Sequence, residues 1–341
     1  MGSVKDLEII TPPTENSTGQ GRFIFSDRYS VFDWGEMPDH IPDKGASIAL
    51  LGAYFFERLE DMGIKTHYVG LIEDSKCKEL NKLKGPSNIM EVRLVRVLKP
   101  EYTDNGYDYS IYKSQRGNFL IPLEIIYRNS IPEGSSLLKR MNRGEISPET
   151  LGLSAPLQPG EKLEKPVYDV STKLEITDRY ITWQEAQEIA SLSESELQEI
   201  HNLTDRINRL ITEEFARIGL NNEDGKIELA FDPDRRLMVV DVLGTLDECR
   251  FTYNGIPVSK EIARLYYRKT DWYHAVEEAK KKDRMNWKAL VNTPPEPLPP
   301  RLKELISLVY KTCTNAITGK EWFPAVPDIQ DILEELRDFL A

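Results

Sequence analysis

The run from Asp224 to Arg250, DGKIELAFDPDRRLMVVDVLGTLDECR, constrains the fold more than any other stretch of the chain. Lys226, Glu228 and Ala230 alternate with Ile227, Leu229 and Phe231, and a period of two puts charge on one face of a strand and apolar groups on the other. Asp232-Pro233-Asp234-Arg235-Arg236 is a turn signal, so a second strand folds back as a hairpin. Folding the two runs symmetrically pairs Phe231 with Met238 and therefore Glu228 with Asp241. Facing carboxylates repel unless a cation lies between them, and their hard oxygens suit Mg²⁺, which commonly brings substrate phosphates with it. A hairpin whose charges are simply solvated stays open as the alternative. A slip of one residue would separate the pair.

The chain has 341 residues, of which 40% are hydrophobic, enough for one large domain or two ordinary ones. A net charge of −12 with no long basic run argues against a general binder of nucleic acid or anionic membrane. Cys77, Cys249 and Cys313 are too dispersed for a disulfide framework or a zinc site, which points to a reducing cytoplasm. The N-terminus has no signal-peptide core, and no run reaches the ~18 apolar residues of a membrane span. Four dispersed histidines give poor support for histidine-based metal sites or Ser-His-Asp hydrolysis, leaving Lys, Arg and carboxylates to carry any chemistry.

Elsewhere the periodicities predict a strand at 22–26, a helix from Ala46 to Met62 stopped by Gly63, and strands at Met90–Leu98, Tyr107–Lys113 and Phe119–Tyr127. The Leu120–Leu123 stretch is a natural connection to a second lobe. Ser193-x-x-Glu196 is a capping-box pattern opening a helix with an apolar stripe that ends at Gly219. A further helical stretch runs from Ser259 to about Lys282, and TPPEPLPP at 293–300 reads as a stiff linker before an amphipathic C-terminal segment. The expected division is an N-terminal antiparallel lobe over 1–121, a larger α+β lobe over 122–290 and a C-terminal extension over 291–341.

Several short clusters surround the hairpin: SDRYSVFD at Ser26–Asp33, IPDKG at Ile41–Gly45, IYRN at Ile126–Asn129 followed by GSS at Gly134–Ser136, STKLE at Ser171–Glu175, and SKE at Ser259–Glu261. Each is weak alone. Together with Asp224, Lys226, Glu228, Asp241, Asp247 and Arg250, their order makes the chain resemble the SAICAR synthetase (phosphoribosylaminoimidazole-succinocarboxamide synthase) family.

The resemblance implies an α+β, two-lobed fold related to ATP-grasp enzymes, with antiparallel sheets, packed helices and ATP between the lobes. It implies a Mg²⁺-dependent ligase that joins the carboxylate of carboxyaminoimidazole ribotide (CAIR) to L-aspartate. By position, Glu228 and Asp241 correspond to carboxylates holding the nucleotide's Mg²⁺. Asp224, through a metal, and Lys226, by direct charge, correspond to residues near the CAIR carboxylate. Arg128, Ser135 and Arg250 match holders of the ribotide phosphate, with Asp247 nearby. Lys173 and Asp178 match a motif near the nucleotide, and Asp33 and Lys44 match a loop over the substrate region. Leu120 to Leu123 would meet the adenine through backbone, and Lys5 belongs to the N-terminal phosphate loop. Two departures stand out: Ser3 replaces a family Lys, and Thr245-Leu246-Asp247-Glu248-Cys249-Arg250 keeps only the Thr, Asp and Arg of the usual pattern. A paralogue joining another carboxylate and amine, or a nucleotide binder without turnover, stays open. The implied partners are small molecules in a cytoplasmic homo-oligomer, with no nucleic acid and no membrane.

Overall fold

Alternating apolar positions in the first hundred residues assemble one antiparallel sheet. The computed structural model describes residues 4–340 except 105, 133–134, 152–156 and 285, so Ser3 and Gly134 lie outside the described residues. The sheet contains β1 (Lys5–Thr11), β2 (Gly19–Phe25), β3 (Tyr68–Glu73), β4 (Lys76–Lys78) and β5 (Ile89–Leu94), in the order β1-β2-β5-β3-β4. Helix α1 (Lys44–Asp61) covers it and ends at Gly63, whose φ of 74° is left-handed as a helix stop requires. Gly52 lets α1 approach its neighbours, since a Cβ there would lie 2.6 Å from the Val242 side chain.

A small hairpin, β6 (Glu101–Thr103) and β7 (Gly106–Asp108), follows. The strand expected at Tyr107–Lys113 stops at Asp108, whose carboxylate accepts hydrogen bonds from Ser110 N (2.8 Å) and Ser110 Oγ (3.0 Å). This local side-chain turn diverts the backbone into a short 3₁₀ helix over Ser110–Ser114.

The second sheet comprises β8 (Phe119–Ser130), β9 (Lys162–Thr172), β10 (Asn221–Phe231), β11 (Leu237–Val240), β12 (Cys249–Tyr253) and β13 (Ile256–Pro257). Its order is β13-β12-β10-β8-β9, with β11 also on β10. The stretch Leu120–Leu123 is therefore strand rather than connection, and Pro122, which has no N–H, sits where the β8–β10 ladder skips. Parallel bridges Thr66–Val239 and Arg96–Phe119 join the two sheets.

Six helices complete the main architecture: α2 (Ser136–Asn142), α3 (Trp183–Ile189), α4 (Glu194–Ala216), α5 (Glu261–Arg268), α6 (Asp271–Lys282) and α7 (Pro300–Thr318). Helix α8 (Ile329–Leu340) follows. The capping box at Ser193 and Glu196 forms in both directions. The single helix expected over 259–282 breaks in two because Thr270 caps α6, its hydroxyl accepting from Tyr273 N. The C-terminal segment is likewise two helices, separated after Gly319. Helix α7 packs on α1 and α8 on α7. No helix among the described residues is long and apolar enough to cross a membrane.

Candidate active site

The hairpin forms one residue out of the expected register: Phe231 pairs with Leu237, and Glu228 with Val240 rather than Asp241. Asp232 sets this. Its Oδ1 accepts from Asp234 N (2.8 Å) and Arg236 N (2.9 Å), closing a loop over Asp232–Arg236 with Arg235 at φ 59°. Continued regularly, the ladder would place Asp241 opposite Ile227 and turn it toward the core. Instead β11 stops at Val240 and Asp241 adopts a left-handed φ of 63°. Its carboxylate returns to the polar face, close enough for its charge to act on Glu228, Lys226 and Lys173.

The acid directly facing Glu228 is Glu124 of β8. A cation does lie between these carboxylates: Lys173 Nζ is 2.6 Å from Glu228 and 2.9 Å from Glu124. Lys226 Nζ lies 3.1 Å from Glu124, 3.2 Å from Glu248 and 3.9 Å from Glu228, and Lys5 pairs with Asp241. Four carboxylates thus share three ammonium groups.

Burial, reinforced by the Asp241 charge and opposed by Lys173 and Lys226, pushes the Glu228 carboxyl up to about 7. Burial also opposes ionisation of Asp241, but Lys5 and Lys226 outweigh it and hold that carboxyl well below the usual range. Burial works against the charged form of Lys226, yet Glu248, Glu124, Glu228 and Asp241 together raise it well above an ordinary lysine. Asp178 is raised by burial and by Glu124, with Asp33 adding to the effect.

A row of charged side chains crosses the sheet beside this cluster. Asp224 pairs in register with Arg128 on β8 and with Arg250 on β12. Arg250 engages both Asp224 oxygens, the Nε–Oδ1 bond being 2.8 Å, and Arg128 Nη1 lies 3.4 Å from Oδ2. Both oxygens thus face guanidinium groups, which hold the Asp224 carboxylate in place within the row. Arg128 is buried at 2% exposure, also reaches Asp169 (3.3 Å), and its Nε–H finds no acceptor among the described residues. Gly225 allows the row to form, because a Cβ there would collide with the Tyr127 hydroxyl and lie 2.8 Å from Cys249 Sγ.

The remaining predicted positions distribute as follows. Ser135 caps α2, its hydroxyl accepting from Leu137 N, whereas Ser136 Oγ accepts from Arg128 Nη2 (3.1 Å) and meets Tyr180 Oη (2.7 Å). The hydroxyl beside Arg128 is therefore that of Ser136. Lys44 is not on an open loop: it begins α1 at 1% exposure, paired at 2.6 Å with the buried Asp247. Asp33 is solvent-facing, its side chain 88% exposed and 3.1 Å from Lys280. Leu123 points into the main core, while Leu120 joins Ala230, Met238, Val240 and Val95 in a separate apolar patch. Leu120, Ala230 and Glu228 share the polar-cluster side of their strands, so the patch walls the charged centre. A cavity of about 1080 Å³, lined by Ser136, Arg140, Asp169, Asp178 and Tyr180 among others, adjoins the arginine row.

Sequence reasoning missed Glu124 and Glu248. Glu124 is the lone acid inside the apolar run FLIPLEIIY, and a charge within a buried strand demands a partner, which was the available signal. Glu248 carried no comparable mark, since it becomes a neighbour of Lys226 only through the loop between β11 and β12.

Two joined antiparallel sheets, an apolar wall, a lysine–carboxylate centre and two arginines paired with Asp224 define a class: an α+β protein with a densely charged centre set against an apolar patch. The comparisons make that class specific. The SAICAR synthetase family model matches residues 13–282. A chain from Archaeoglobus fulgidus is 51% identical over 340 residues, covering 100% of both chains. The phosphoribosylaminoimidazole-succinocarboxamide synthase of Thermoplasma volcanium is 34% identical, covering 88% of this chain and 93% of the relative. Among solved structures, the Saccharomyces cerevisiae SAICAR synthase complexed with SAICAR has a TM-score of 0.63 at 20% identity, with 94% of each chain covered. A SAICAR synthetase in complex with ADP has a TM-score of 0.56 at 21% identity, covering 87% of this chain and 98% of that one. The chain belongs to the SAICAR synthetase family.

Proposed function

We infer that the protein is an ATP-dependent ligase of purine biosynthesis, joining the CAIR carboxylate to L-aspartate to give SAICAR, ADP and phosphate. The observation that carries this reading is the lysine–carboxylate centre, in which Lys226 and Lys173 are held charged among Glu124, Glu228 and Glu248 beside the Asp224–Arg128–Arg250 row. Family membership and the ADP and SAICAR complexes of solved relatives support it.

A carboxylate is a poor electrophile because attack by an amine would have to expel oxide. In the inferred reaction a CAIR carboxylate oxygen attacks the γ-phosphorus of ATP, the bond to the β-bridging oxygen breaks and ADP leaves. The aspartate amine then attacks the acyl phosphate carbon, the C–O bond to phosphate breaks, and the amine nitrogen gives up a proton as the amide forms. Lys226 and Lys173 exchange their carboxylate partners for the anionic groups of the substrates, supplying fixed positive charge where negative charge concentrates. Arg128, with its unpartnered Nε–H, Arg250 and Ser136 form the seat for the ribotide phosphate. The patch of Leu120, Met238 and Val240 receives the nucleobase, with the β8 backbone from Leu120 to Leu123 along its edge.

Magnesium fits at Glu228 and Asp241. Burial first, and then repulsion between these two carboxylates, pushes the Glu228 carboxyl up to about 7, and no group of three His, Cys, Asp or Glu suited to a metal occurs among the described residues. Mg²⁺ commonly takes one or two protein carboxylates and completes its shell with phosphate oxygens and water. When bound, the ion neutralises charge on the nucleotide phosphates. The same reading includes the kinship with ATP-grasp enzymes, the lobe division at 121 and 290, cytoplasmic location and homo-oligomeric assembly.

The acyl phosphate step is tested with CAIR labelled with ¹⁸O in its carboxylate. Released phosphate should carry one labelled oxygen for each SAICAR formed. Unlabelled phosphate would contradict the proposed step.

A further inference from the structure

Helix α7 lies outside the 13–282 stretch matched by the family model, yet it reaches the centre of the molecule. Tyr310 is fully buried on it, and its hydroxyl donates to Asp247 Oδ1 at 2.6 Å. Lys44 Nζ donates to the other oxygen, Oδ2, at 2.6 Å. Both oxygens of one buried carboxylate are therefore fixed, one from α1 and one from α7.

Asp247 lies in a short loop with little freedom. Thr245 is fully buried, and its carbonyl accepts from Glu248 N (3.2 Å) and Cys249 N (3.0 Å). The residue after Asp247 is Glu248, whose carboxylate meets Lys226 at 3.2 Å and whose carbonyl accepts from Lys226 N at 3.3 Å. Three residues after Asp247 comes Arg250, which clasps Asp224. A displacement of Asp247 is thus carried along one tight turn to the partners of both Lys226 and Asp224. No atom of Tyr310 need touch a substrate for this to happen.

We propose that Tyr310 is a positioning residue of the ligase, acting through Asp247 to fix Glu248 and Arg250 against Lys226 and Asp224. The inference rests on the ligase reading above and assigns a role in it to the segment beyond the family match. Asp247 is suited to this task. Burial works against its ionisation, but the charges of Lys44 and Lys260 and the hydrogen bonds from Lys44 and Tyr310 prevail and hold it as a carboxylate. The Lys44 ammonium also lies 5.7 Å from the centre of the Tyr310 ring, so the ring and hydroxyl enclose the ion pair from the α7 side.

The test compares wild type, Tyr310→Phe and Ser307→Ala as full-length proteins, by melting temperature and by steady-state kinetics with each substrate varied. Tyr310→Phe keeps the ring and removes one charge-assisted hydrogen bond, and its kcat/KM for CAIR should fall about tenfold with KM for ATP unchanged. Ser307, whose hydroxyl donates to Pro42 O at 2.6 Å, is the control for loosening the same helix. Its alanine variant should lower the melting temperature and leave the CAIR parameters within about twofold of wild type. A Tyr310→Phe protein with wild-type CAIR kinetics would overturn the inference, as would equal CAIR defects in both variants. Absence of turnover in the wild type would instead overturn the ligase reading.

Discussion

Glu228 stands between two lysines and a second buried acid, and its chemistry follows from that balance. Burial, with the Asp241 charge next, pushes the Glu228 carboxyl up to about 7. Glu228→Gln removes the charge but keeps the shape, so Mg²⁺-dependent nucleotide affinity should fall by about tenfold or more, on the order of 1.4 kcal/mol. Affinity measured without Mg²⁺ should change little. Calorimetric titration under both conditions decides it, and an equal loss with and without Mg²⁺ would refute the metal assignment. His67 makes a second prediction. Its Nε2 lies 2.9 Å from the Asp241 carbonyl, and burial lowers its pKa to about 4. The unfolded chain, with an ordinary histidine near 6.5, binds more protons between those values than the folded chain does. Stability from this group is complete above pH ~6.5 and is lost as pH falls toward ~4, by on the order of 3 kcal/mol at most. The His67 ring signals in an NMR titration should remain those of neutral imidazole down to about pH 5, and a midpoint near 6.5 would contradict this environment. At this scale the alternation of Lys226 and Glu228 was legible in the sequence. Glu124 was not singled out, because its partners are far away in the chain, Lys226 on β10 and Lys173 just after β9.

Among the elements, β10 carries most of the argument, since its partner strand splits around Lys226. Its first half pairs with β12, its second with β11, and the loop between them supplies Asp241, Asp247 and Glu248. Gly225 is what lets the split strand lie flat against Tyr127 and Cys249. Gly225→Ala should therefore destabilise the protein by about 1–3 kcal/mol through overpacking. Denaturant unfolding measures this, and a change under about 0.5 kcal/mol would show that the contact relaxes freely. The hairpin itself was legible, but its register was not. Symmetric folding of the apolar pattern cannot sense that the Asp232 carboxylate captures the amides of Asp234 and Arg236, which shortens the loop by one residue. Asp241 regains the polar face only through its left-handed backbone, a conformation no periodicity announces. The capping box at Ser193 was read directly because both of its partners are local. The Thr270 break between α5 and α6 was overlooked although it too is a local cap.

At the scale of the whole molecule, two sheets meet where β11 is paired on one side with β10 and bridged on the other to Thr66. The α+β class came with the family resemblance, whereas the antiparallel character of the first sheet and the hairpin followed from sequence, because strand and helix periods are local properties. The junction did not, since Thr66 and Val239 are far apart in the chain and neither carries a chemical mark. Nor was it legible that the C-terminal segment packs α7 against α1 and delivers Tyr310 to Asp247. The charged centre, the arginine row and the apolar wall converge on one claim: ATP cleavage is coupled to joining a carboxylate and an amine. The direct test is ADP release by the purified protein with ATP, Mg²⁺ and CAIR, measured with and without L-aspartate. The account predicts sustained release that requires aspartate and matches the amide formed mole for mole. Sustained release indifferent to aspartate, or no release despite tight ATP binding, would contradict it.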